Sequence, residues 1–200
     1  PVHFAALSGI VEDYITVEYL RDTAMQAGFQ TEYLDVESIA WDDRRNTFDD
    51  LKGRPIQRLF KLYPWEWLFR EEFGNNILQA NMAWMEPPWK AILSCKSILP
   101  LLWERYPECP YLLPASFEPL AGDHVRKPIH AREGANITVV RGGQTVIATP
   151  GFYSDIPSIY QTLGPMKAHE GKFPVFGVWV VNGVACGLGI REDDTMVTTN

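Results

Sequence analysis

Residues 125–148 read VRKPIHAREGANITVVRGGQTVIA. The stretch divides into a strand bearing Lys127, a loop holding Arg132, Glu133, Gly134 and Asn136, and two further strands closed into a hairpin at Gly142 and Gly143. That order predicts antiparallel pairing in the second half of the chain. A lysine fixed on a strand beside a loop that can present backbone N–H groups suits a polyphosphate, because ammonium and amide dipoles both favour concentrated negative charge. Nucleotide chemistry is the first functional expectation, and an ordinary surface hairpin is its competitor.

Working outward, the segment near residues 158–163 has strand character, and FGVWVVNGVACGLGIRED carries Asn182 and Gly183, a type I′ signal between alternating strands. TMVTT, at residues 195–199, is expected to be a last strand. Toward the other end, VHFAAL is a buried-strand pattern, and Ile10, Tyr14, Val17, Leu20 and Ala24 recur near one helical face that Gly28 should terminate. TEYLDV then returns to β-rich composition, so the first third predicts a βαβ layer with a parallel sheet. The acidic run around Asp42 and Asp49, with Arg44 and Arg45, is expected to be a solvated loop or edge hairpin. A strand at residues 56–62 precedes YPWEWLFREEF, whose rings are accompanied by Glu66, Glu71 and Glu72. A stacking platform for single-stranded nucleic acid needs a positive track, so these rings are expected to fill a core or a junction. Pro87 and Pro88 punctuate the chain, and Ser94 or Ser97 is placed to cap a helix through Leu101, Leu102 and Trp103 toward Tyr106.

The chain has 200 residues, enough for one large domain or two small ones, and a net charge of -7 that argues against a general grip on nucleic acid or anionic lipid. Cys95, Cys109 and Cys186 are odd in number and lack a C-x-x-C pair, which favours reduced thiols in a cytoplasm over a disulfide framework or zinc site. No apolar run approaches the roughly 20 residues needed to cross a bilayer, and no signal-peptide pattern opens the chain. The abrupt start at Pro1 and end at Asn200 suggest cuts inside a larger protein. The phosphate loop G-x-x-x-x-G-K-[ST], the dinucleotide G-x-G-x-x-G, H-E-x-x-H and G-x-S-x-G are all absent from the sequence. His3, His124, His130 and His169 show no paired metal-ligand spacing and are assigned no chemistry.

Taken together, LFKLYPWEW at residues 59–67, EPPWKAILSCKSILPLLWERYP at 86–107, KPIHAREGANI at 127–137, YQTL at 160–163 and GVWVVNGVACGLGIRED at 177–193 resemble the glutathionylspermidine synthase family, particularly its shorter members that lack the amidase domain. The resemblance implies a Rossmann-like pre-ATP-grasp α/β layer at residues 1–74, followed over 75–200 by α+β ATP-grasp subdomains with antiparallel sheets, incomplete at both ends. It implies an ATP-dependent ligase in which a peptide carboxylate attacks the γ-phosphate and a polyamine then displaces phosphate from the acyl phosphate. Nucleic acid and membrane are not among its expected partners. On this reading Lys96 and Lys127 contact nucleotide phosphates, and Arg132 to Asn136, with Glu133 and Gly134, form the loop over them. Gln161 and Leu163 lie in the strand beside adenine. Arg191 stands near the reacting phosphoryl or acyl group as the catalytic cation. Glu133 departs from the family's bifunctional branch, since some better-known relatives carry cysteine there.

The family's magnesium ligands, an R-x-D strand and a following E-x-N strand, are expected upstream of Pro1, since no R-x-D followed by an E-x-N occurs between Pro1 and Asn200. The resemblance therefore implies an incomplete magnesium site and an isolated chain impaired in turnover; Asp193 and Asp194 are not expected to substitute. Two other readings remain open at this stage: a non-catalytic nucleotide-binding or regulatory module of the same fold, and a structural interaction domain built on the tryptophan-rich segment.

Overall fold

The computed structural model describes residues 1–199. Two compact units emerge, residues 1–92 and 93–200. In the first, β1 (Val2–Ala6) leads into α1 (Val11–Gln26) and β2 (Thr31–Asp35); the hairpin β3 (Ala40–Asp42) and β4 (Thr47–Asp49) follows. β5 (Arg58–Leu62), α2 (Trp65–Leu68), β6 (Ala83–Met85) and α3 (Ala91–Ser94) complete the sequence of elements to the division. The strands form one parallel sheet in the order β2-β1-β5-β6.

Every residue of β1 is buried, as expected of a central parallel strand covered on both faces. Val2, Phe4 and Ala6 pack with Val17 of α1, whereas Ala5 turns to the other face with Leu34, Leu59, Phe48 and Trp65. The predicted stripe on α1 is narrower than its spacing suggested. Val17, Leu20 and Ala24 pack on the sheet, while Tyr14 lies edge-on to Tyr33 near the surface and Ile10 is the residue before the helix. Gly28, at φ +87°, ends the helix by a Schellman arrangement: its N–H donates to Met25 O and the Phe29 N–H to Ala24 O.

The aromatic segment packs only in part as expected, since Trp67 and Phe69 remain exposed while Trp65 and Phe73 join the core. Trp65 is buried, stacks on Phe69 with ring centroids 5.5 Å apart, and meets Trp84 edge-on at 5.2 Å. The acidic run is the β3–β4 hairpin, closed by Arg45 on Asp42 and Asp49. The division between units falls inside α3, later than residue 74, because β6 pairs with β5 and so belongs to the first sheet.

The second unit contains α4 (Ile98–Arg105) and β7 (Ala115–Ser116), then β8 (His124–Pro128), β9 (Thr138–Arg141), β10 (Gln144–Ala148) and β11 (Ser158–Thr162). These strands form an antiparallel sheet in the order β10-β9-β8-β11-β7. A separate ribbon, β12 (Phe173–Val181) with β13 (Val184–Asp193), turns at Asn182 and Gly183, both at positive φ. Gly142 and Gly143 likewise close β9 onto β10. Ser97 precedes α4 but makes no side-chain cap hydrogen bond.

Residues 195–199 are not a strand. Asp193 captures the segment instead, its two carboxylate oxygens accepting from the N–H groups of Thr195 and Thr199, and Met196 and Val197 pack against Val125, Ile137 and Val139. Among the described residues no helix is long and apolar enough to cross a membrane.

Candidate functional site

The β8–β11 register sets Lys127 opposite Ile159 and Val125 opposite Gln161. The two-residue alternation of strands therefore puts Val125, Lys127, Ile159 and Gln161 on one face, whose apolar members are buried. Lys127 accordingly points inward, and its Nζ donates to Gln161 Oε1 at 2.8 Å across the diagonal. Burial pushes its pKa below the usual lysine value, and the positive charge of Lys96 pushes it further the same way. Lys96 stands between α3 and α4, where its N–H donates to Ile129 O at 2.9 Å and its Nζ to Ala131 O. Two half-buried ammonium groups that repel one another form a site whose electrostatics favour an anion.

The adjoining loop is left-handed at three described positions: Glu133 at φ +53°, Gly134 at +67° and Asn136 at +53°. The Ala135 N–H donates to Arg132 O at 2.9 Å, closing the turn. Thr149 braces it from β10's end, donating from Oγ1 to Gly134 O and accepting the Ile137 N–H at 2.8 Å. Asn136 Oδ1 accepts the Tyr153 N–H at 2.8 Å, in space that a side chain at Gly151 would fill. Asn136 thus serves as a strut in the loop just ahead of β9. The close approach at Gly134 comes from the chain itself, since a Cβ there would stand 2.5 Å from Thr198 O.

The structure thus gathers Lys96, Lys127, Arg132, Glu133, Gly134, Asn136 and Gln161 around β8, its following loop and β11. Leu163, just past β11, is tied by its N–H to Asp123 O at 3.1 Å and packs on the Val125 cluster. Arg191 is exposed on β13, opposite Val175 in the β12–β13 ribbon. Asp193 and Asp194 are used locally, the first as a turn acceptor and the second in an ion pair with Lys172. Thr149 and Gly151 were missed in the sequence, where the Thr-Pro-Gly run after β10 is only a turn signal.

Histidine spacing also concealed one cluster. The parallel register β1–β2 sets His3 beside Glu32, and with Asp50 their ligand-type atoms lie within 4.8 Å of one another. Arg54 and Lys52 already neutralise it: both pair with Glu32, holding its carboxyl down at about 2, and Arg54 also pairs with Asp50. Burial pushes Asp50 up, but the hydrogen bonds from Arg54 and the Lys52 N–H outweigh it and leave the carboxyl below its usual value. Burial likewise lowers His3, against the opposing pull of Asp50. A cation entering this group would have to displace an arginine, so it reads as a structural network.

Comparison with known proteins adds the family. The model described as glutathionylspermidine synthase preATP-grasp matches residues 1–200. A Haemophilus influenzae protein whose name describes an acid–amine ligase is 43% identical over 94% of this chain, which spans 51% of that protein. The bifunctional glutathionylspermidine synthetase/amidase of Escherichia coli is 28% identical over 98% of this chain and 36% of its own length. A trypanothione synthetase of Crithidia fasciculata is 33% identical over 59% of the chain and 19% of its own length.

Proposed function

The chain belongs to the glutathionylspermidine synthase family, and we propose that the protein it represents is an ATP-dependent ligase joining a carboxylate to an amine. Its similarity to proteins named for glutathionylspermidine and trypanothione synthesis supports a glutathione-like peptide as the acid and a polyamine as the amine. The observation that carries the nucleotide assignment is Lys127, an inward-facing ammonium held by an amide oxygen beside a second lysine. A polyphosphate fits this group because it relieves the mutual repulsion of Lys96 and Lys127. The left-handed turn adds the N–H groups of Glu133 and Gly134, which find no acceptor among the described residues.

In this reading Lys96 and Lys127 hold the phosphates, the loop from Arg132 to Asn136 covers them, and Gln161 and Leu163 line the base. A carboxylate oxygen attacks the γ-phosphorus, ADP leaves, and the amine attacks the acyl carbon of the resulting acyl phosphate to release phosphate. Arg191, the proposed catalytic cation, must reach the reacting group for that role, and its exposed guanidinium on the β12–β13 ribbon is available to do so. Among the described residues the one cluster of ligand-type atoms does not fit magnesium, since Arg54 and Lys52 already neutralise it. Free thiols at Cys95, Cys109 and Cys186 suit a cytoplasmic setting.

ADP release by the whole protein tests the ligase. Sustained release over many turnovers should require a glutathione-like peptide and a polyamine together; nucleotide binding with no ADP release above background would instead indicate a non-catalytic module of the same fold.

A further inference from the structure

On β5, Leu59 and Lys61 share the face opposite α1, and Leu59 is fully buried in the cluster of Phe48, Trp65 and Ile77. The next inward position calls for an apolar residue, yet it holds Lys61, only 9% exposed. Its Nζ donates to Tyr63 O at 2.7 Å and lies 3.6 Å from the centre of the Trp65 ring. Burial brings its pKa down to about 7, against an upward pull from Glu66.

Lys61 borders a cavity of about 270 Å³ confined to the first unit. Phe48, Leu59, Phe73 and Trp84 form its apolar walls. Glu37, just past β2, and Glu71 and Glu72, beyond α2, supply three carboxylates. Two of them converge on one phenol: Tyr63 donates its hydroxyl hydrogen to Glu71 at 2.6 Å, and burial, Glu71 and Glu37 together push its pKa up to about 12. With its proton committed to Glu71, the phenol oxygen keeps lone pairs for another donor. Glu37 follows the end of β2 and Tyr63 the end of β5, so the cavity opens at the carboxyl ends of parallel strands, where open α/β sheets bind ligands.

We propose that this cavity binds a small ligand carrying an ammonium group on an apolar body, with the ammonium held by Glu37, Glu71 and the Tyr63 oxygen and the body seated between Phe48, Phe73 and Trp84. The cavity lining holds three carboxylates, all on exposed residues, and a single amine, so an anionic ligand would meet net repulsion and a cationic one net attraction. Lys61 is the group that can yield. Near neutrality it can shed its proton when a cation arrives, so binding should release a proton and strengthen as pH rises through 7. The charged and titratable groups around it are Glu66 beside it and Glu37, Tyr63, Glu71 and Glu72 around the cavity. The inference does not rest on the ligase reading, and its test needs no nucleotide.

The test uses the whole 200-residue chain and three probes of similar shape but different charge: phenethylammonium, 2-phenylethanol and 3-phenylpropionate, followed by calorimetry and ligand-observed NMR. The cation should bind at least tenfold more tightly than the alcohol, and the carboxylate more weakly than either. Combining Glu37→Gln with Glu71→Gln should remove that tenfold preference while leaving the alcohol unchanged. Wild-type affinity for the cation should rise between pH 6 and pH 8, and Lys61→Met should abolish that rise. Equal binding of the three probes, preference for the carboxylate, or no binding of any probe to folded wild type would each overturn the proposal. Circular dichroism checks each variant, and if the double variant does not fold, the wild-type charge series and Lys61→Met decide.

Discussion

Gly134→Ala should weaken the second unit far more than the same change at Gly142. Both glycines sit at positive φ, +67° and +56°, where an L side chain costs roughly 1–2 kcal/mol. Gly142 has nothing within 4 Å of an added Cβ, so that conformational cost is its whole expected effect. At Gly134 the Cβ would stand 2.5 Å from Thr198 O and 2.9 Å from Val197 Cγ1. Relieving such overlap in a packed region costs about 1–3 kcal/mol more. The displaced segment also carries Met196 and Val197 off the Val125, Ile137 and Val139 cluster. The expected totals are about 1–2 kcal/mol for Gly142→Ala and about 2–5 kcal/mol for Gly134→Ala. Urea unfolding measures both, and hydrogen exchange at the buried Val139 amide assigns the loss to the second unit. Equal destabilisation by the two variants would refute the claim that residues 197–198 close over the loop.

Lys61 gives a pH prediction. Its folded pKa of about 7 lies below the unfolded value of 10.5, so the unfolded chain binds more protons between them and stability should rise with pH across that window. Relative to Lys61→Met, wild type should gain up to about 1.4 kcal/mol per pH unit above 7, read from urea midpoints at pH 7, 8 and 9; a constant difference would contradict the burial of this amine. Thr149→Val removes the hydroxyl between Gly134 O and the Ile137 N–H and should cost about 1–3 kcal/mol in urea unfolding, with no loss if the brace is not formed. Trp65→Ala should cost about 3–5 kcal/mol in thermal unfolding, since Trp65 is buried in the core against Trp84 and covered by the Phe69 ring; a loss below about 1 kcal/mol would reopen the reading of these rings as a surface platform.

Much of the framework was legible because its signals are local. The buried run of β1, the Schellman end at Gly28 and the Asn182–Gly183 turn each depend on a few neighbouring residues. The alternation around Lys127 and Gln161 placed both on strands, and the β8–β11 register makes them partners. What escaped depends on distant residues or on competing bonds. Residues 195–199 have strand composition, but Asp193 takes the N–H groups of Thr195 and Thr199, which a ladder would otherwise use. His3, Glu32 and Asp50 meet only through the β1–β2 register and a loop return, which no spacing of histidines can show. Lys61 lay in an apparent strand, yet its inward direction becomes visible only once Leu59 is seen in the core.

The proposed phosphate site is centred on Lys127 beside the loop, and calorimetric titration of ATP, with and without magnesium, into the folded chain and its Lys127→Ala variant tests it most directly. Wild type should bind, and the variant should bind at least tenfold more weakly, about 1.4 kcal/mol. Undiminished affinity in the variant, or no binding by folded wild type, would contradict the assignment of Lys127 and its neighbours to nucleotide phosphates.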